Sequence, residues 1–197
     1  MKNIGIAFIA AGLFFMPVSA RAVLVNLSES QIKEAAEFGS LHKETIEAAL
    51  KQKYEPGNNL PGVHEVELRT KWCKLALMSG VEAQQGKALA AQQQADILND
   101  PFLQVNVTVY GQSLDFARTY TVYARQGDAL IKPEKIHADH FQGAPHRNKA
   151  LKGFPPYYAT IRAYFKYTDI NPEGKITIVL KKNLEDHPHE LDLSAFK

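Results

Sequence analysis

The chain has 197 residues, 23 basic against 21 acidic side chains and a single cysteine. It is long enough to bury a sizeable core without staples, and one cysteine excludes any internal disulfide. Its near balance of charge gives no support for a nucleic-acid footprint, which needs clustered Lys and Arg.

The N-terminus reads as a secretory signal over residues 1–22. Lys2 supplies the positive start, residues 4–16 form an uncharged and mostly apolar run, and Pro17-Val18-Ser19-Ala20-Arg21-Ala22 offers small-residue cleavage sites. The apolar run is well short of the ~20 residues that span a bilayer as a helix, and no second run is long enough. Removal of residues 1–22 takes away Lys2 and Arg21, so the 23 basic groups fall to match the 21 acidic ones. The mature chain is expected to be nearly neutral and periplasmic or secreted, and a product free of internal disulfides suits a periplasm.

Residues 23–100 read as a helical and αβ region. Ser28 can cap a first helix with Gln31 as its reciprocal partner, and Gly39-Ser40 reads as the break before a second helix that stops near Glu55-Pro56-Gly57. After a Pro- and Gly-rich loop, Val66, Leu68, Thr70 and Trp72 alternate with Glu65, Glu67, Arg69 and Lys71. That period of two predicts one long strand running to about Leu77. Gly80 and Gly86 then frame a turn region, and residues 89–98 read as a short helix ended by Asn99-Asp100-Pro101. Cys73 sits among apolar neighbours and reads as a buried, inert thiol.

From Pro101 the pattern is β, predicting a mainly antiparallel, sandwich-like module over residues 101–197. Leu103, Val105, Val107 and Val109 alternate strictly with polar positions, as a half-buried strand does. Asn106-Val107-Thr108 matches a glycosylation sequon but lies within that strand, whereas used sequons sit in surface loops. Gly111-Gln112-Ser113 reads as a turn and not a nucleophile elbow, because it joins strands and lacks the second glycine. Further strands are expected over residues 116–125, 129–132 and 135–141. Residues 157–167 and 175–181 read as a hairpin about Asn171-Pro172-Glu173-Gly174. The strand over residues 66–77 can join this sheet, which would make residues 23–197 one continuous α+β domain.

Two groups of residues are candidates for function. The fifteen positions 142–156 form an unusually long connection of the kind that binds ligands, and His146, Arg147, Lys149 and Lys152 with Tyr157 at its end offer cations beside aromatics. The strand at residues 158–167 adds a second surface, with Tyr158, Arg162, Tyr164 and Lys166 on its polar face. A partner would be an envelope protein or a glycan. The histidines make the other group: His137 and Asp139 with His187 or His189 could bind Zn or Cu if the fold gathered them, because a transition metal needs three or four ligands about one point. On a strand, however, His137 and His140 face opposite ways, and no His-Glu-x-x-His or Cys-x-x-Cys pattern is present. The function expected is that of an exported, non-catalytic binding or structural module, the alternative being a histidine-dependent metal protein or metallohydrolase.

Overall fold

The computed structural model describes residues 25–54, 65–113, 115–145 and 155–196. The chain is α+β, and the described residues form four helices and two four-stranded antiparallel sheets in a sandwich-like arrangement. The expected signal segment, residues 1–22, lies outside the described residues. No described helix is long and apolar enough to cross a membrane.

Helix α1 (Glu29–Leu41) starts as its sequence dictates. The Ser28 side chain accepts from the Gln31 backbone and the Gln31 side chain accepts from the Ser28 backbone, closing the capping box. Gly39 does not break it. The helix runs on to Leu41, and helix α2 (Ile46–Tyr54) follows after a turn.

The long strand expected over residues 66–77 is corrected by the structure. Strand β1 is only Glu65–Arg69, and helix α3 (Lys71–Gln84) begins immediately after it. Thr70 is the reason: its side chain accepts from the Cys73 backbone N–H at 3.2 Å, capping a helix instead of extending a strand. Trp72, Cys73, Ala76, Ser79 and Gly80 then form one buried stripe at helical spacing. Gly80 is therefore inside α3, and only Gly86, with φ +70°, occupies the turn beyond it. Helix α4 (Ala91–Asn99) completes the helical part.

One sheet has the order β1-β2-β6-β5, where β2 is Phe102–Gly111, β5 is Lys135–Pro145 and β6 is Tyr157–Lys166. The other has the order β4-β3-β7-β8, where β3 is Tyr120–Gln126, β4 is Ala129–Ile131, β7 is Lys175–Lys182 and β8 is Glu185–Asp192. A short 3₁₀ turn at Phe116–Thr119 precedes β3, so that strand starts later than its apolar residues suggested. The hairpin expected between residues 157–167 and 175–181 does not form. The turn at Asn171 instead carries the chain from one sheet to the other, and β7 pairs with β3 and β8. Strand β5 also extends to Pro145, which shortens the connection expected over residues 142–156.

The inner faces of both sheets and the helices share one buried cluster. Leu103, Val105, Val107 and Val109 of β2 meet Ile161, Ala163 and Phe165 of β6, Ile176, Ile178 and Leu180 of β7, and Leu50, Trp72 and Leu75 of the helices. Strand β1 pairs with β2 from Glu65 opposite Thr108 to Arg69 opposite Gln104, across the composition change at Pro101.

Candidate functional site

Antiparallel partners project to the same side of a sheet, so the register defines the outer face of β1-β2-β6-β5 row by row. Gln104 is opposite Tyr164, and Tyr164 is opposite Lys135; Asn106 is opposite Arg162, and Arg162 is opposite His137. These outward positions on β2 and β6 are all half-buried, whereas Lys135 and His137 on the edge strand are exposed.

The rings and cations of this face are arranged as a strip. The Lys135 ammonium lies 4.9 Å from the Phe102 ring centre and 4.6 Å from that of Tyr164. Phe102 meets Tyr164 edge-on at 6.4 Å, and His137 meets Tyr164 edge-on at 5.7 Å. Such edge-to-face contacts and ring-bound cations are favourable and restrict rotamers. Lys166 closes one end by pairing with Glu134 at 2.9 Å.

The opposite margin of the face is acidic and internally matched. Glu65 accepts from the Tyr110 hydroxyl at 3.3 Å and pairs with Lys51 at 3.5 Å. Burial, and then the charge of Glu65, push the Tyr110 phenol up to about 12. Glu67 accepts from Asn106 at 3.2 Å and pairs with Arg69 at 2.9 Å. The face thus runs from carboxylates on β1 to cations and aromatics on β6 and β5.

The sequence candidates are distributed as follows. Tyr157 begins β6 opposite Gly111 and is packed against the core, so it does not stand at a loop tip. His146, Arg147, Lys149 and Lys152 lie outside the described residues. His137 projects from the outer face of one sheet, and Asp139 occupies the register position opposite Thr160. His187 and His189 are on β8 in the other sheet, opposite Leu180 and Ile178, and so point inward with the core residues of β7.

His137 and the pair His187 and His189 belong to different sheets, and His187 and His189 share one face of β8. Among the described residues, no group of three or more His, Cys, Asp or Glu side chains is placed to hold a metal ion.

The strip on β5, β6 and β2 was only half visible in the sequence. The polar face of residues 158–166 could be read by alternation, but Phe102 and Lys135 join it through pairings that no local pattern announces. No family model, curated protein or solved structure matches the chain.

Proposed function

We propose that this chain is an exported, non-catalytic envelope protein that docks another protein on the outer face of β1-β2-β6-β5. The observation that carries this reading is the strip Phe102–Lys135–Tyr164–His137, in which two half-buried rings are held against an exposed ammonium and an exposed imidazole on the outer face of the sheet. Aromatic residues and Arg are the types enriched where proteins meet, and side chains already fixed by their neighbours lose less entropy on docking. Lys135 favours a protein over a glycan here. Its ammonium covers a face of both Phe102 and Tyr164, the surface a sugar ring would need for stacking. The matched carboxylates of Glu65 and Glu67 at the other margin give the face a polarity that a partner of opposite layout would fit.

A photo-crosslinking amino acid at position 164 of the mature chain in its native envelope tests the reading, with position 123 on the other sheet as control. Expected is a discrete protein adduct at 164 that is absent at 123 and is lost when Arg162 is changed to Glu. Equal adducts at both positions, or none at 164, would refute the docking face. Retention on envelope polysaccharide that disappears in Tyr164→Ala would make the partner a glycan instead.

A further inference from the structure

Three charged side chains on the outer face of β1-β2-β6-β5 are matched by partners within the chain. Glu65 pairs with Lys51, Glu67 with Arg69, and Lys166 with Glu134. Lys135 is different. Its exposed ammonium is held 4.9 Å from the Phe102 ring centre and 4.6 Å from that of Tyr164, and among the described residues no carboxylate pairs with it. Ring faces attract an ammonium and fix its place without cancelling its charge. They also leave its three N–H donors without an oxygen acceptor.

The neighbouring positions extend this charge along the strand. His137 is two residues on, on the same face and ~6.6 Å away along β5; it is exposed and meets Tyr164 edge-on at 5.7 Å. Arg162 is directly opposite His137 on β6. The nearest acidic residue in sequence, Glu134, has its carboxylate on Lys166. The position of Asp139 is four residues and roughly 13 Å along β5 from Lys135, farther than the ~8 Å over which exposed charges act at physiological salt.

The arrangement of these donors selects the kind of anion. A compact anion such as phosphate is best held where donors converge on one point, as a guanidinium fork provides. Lys135 and His137 instead stand in a row with the period of an extended strand. An extended segment carrying carboxylates on alternate residues has the same period, and the carbon stems of its acidic side chains can lie beside the edges of Phe102 and Tyr164.

We propose that the partner docked on this face presents an extended acidic segment, one carboxylate pairing with the Lys135 ammonium and the next on that side lying over His137, beside Arg162. This rests on the docking reading above and adds to it the chemistry of the partner. The carboxylates of Glu65 and Glu67 at the far margin set the direction, because they repel the acidic part of the partner from β1.

Amide NMR of the isotope-labelled mature chain, titrated with a capped peptide of alternating Glu and Ser, is the test. Expected are saturable shifts at residues 135–137 and 162–164 that weaken as salt screens the pairs, and none with a peptide of alternating Lys and Ser. Lys135→Glu should weaken the Glu–Ser peptide by roughly tenfold, since it turns an attraction into a repulsion. Lys135→Arg keeps a cation over the two rings and should stay within about twofold of the parent, which separates loss of charge from a folding defect. Equal shifts with inorganic phosphate would overturn the acidic segment in favour of a free phosphate ligand, and equal shifts with phosphatidylglycerol vesicles in favour of a membrane. Shifts centred on the other sheet, or an affinity unchanged in Lys135→Glu, would also overturn it. The crosslinking experiment distinguishes the two readings. An adduct at position 164 that persists in Lys135→Glu removes the acidic partner and leaves the docking face, whereas no adduct in the parent removes the face itself.

Discussion

Arg69 shows what a single residue can hold together. Its side chain is 9 % exposed, and Nη2 lies 2.7 Å from Glu47 of α2 and 2.9 Å from Glu67 of its own strand. Nη1 donates to the Cys73 sulfur of α3 at 3.9 Å. Burial opposes the guanidinium charge, but Cys73, Glu67 and Glu47 outweigh it and raise the Arg69 pKa above its ordinary value. The same burial pushes the Cys73 thiol up to about 12, against the pull of Arg69. Because the thiolate is the reactive form, Cys73 should be inert to an aromatic disulfide reagent at pH 8 in the folded chain and react fully once denaturant is added. Rapid labelling of native protein would contradict the burial. Removing one partner of such a buried network is costly, and Arg69→Ala is expected to destabilise the chain by about 3 kcal/mol in a urea titration. The inertness of Cys73 was readable from its apolar neighbours; its link to an arginine four positions earlier was not, because residues 66–77 read as a strand put the two on one extended ladder instead of across a strand-to-helix corner.

That corner is the largest difference between pattern and structure at the level of elements. Thr70 is β-branched and falls in step with Val66 and Leu68, so the alternation continues smoothly through a residue whose hydroxyl in fact caps a helix. The helical stripe at Trp72, Cys73, Ala76, Ser79 and Gly80 was present in the sequence but overlapped the period-two reading for its first residues. The strands from Phe102 onward were legible because each buries one face, and strict alternation records that. Their partners were not, since which edges meet depends on the whole sheet; the false hairpin between β6 and β7 arose from a good turn signal that joins two sheets. Glycines misled in the same way. Gly39 and Gly80 read as breaks, yet both lie inside helices where α1 crosses α3, and a Cβ at Gly39 would fall on the Ala76 carbonyl oxygen. Overfilling a backbone contact forces the helices apart, so Gly39→Ala should lose about 2 to 3 kcal/mol. Gly86→Ala meets open space and should lose only about 1 kcal/mol, through its positive φ. Equal losses in the two variants, measured by urea unfolding, would mean that α1 and α3 do not cross at Gly39.

At the scale of the molecule, the sandwich decides what its histidines experience. Composition alone made His137, His187 and His189 look alike, and alternation within each strand said only which of them share a face. Placing one on an outer face and two on an inner face depends on which side of each strand meets the other sheet. His189, opposite Ile178 and next to Leu191, has its pKa lowered by burial first and by neighbouring His187 second. A histidine that titrates lower folded than unfolded binds fewer protons in the native state. Its contribution is therefore whole above the unfolded value of about 6.5 and is lost as pH falls through the lower, folded value. The chain should unfold at less urea at pH 5 than at pH 8, with m unchanged. Carboxylates titrate in that interval too, so the informative quantity is the difference between the parent chain and His189→Gln, which carries no ionising group at this position. The variant should lose less stability on acidification than the parent. If His189→Gln and the parent lose the same amount, the inward position of β8's histidines does not govern the acid response.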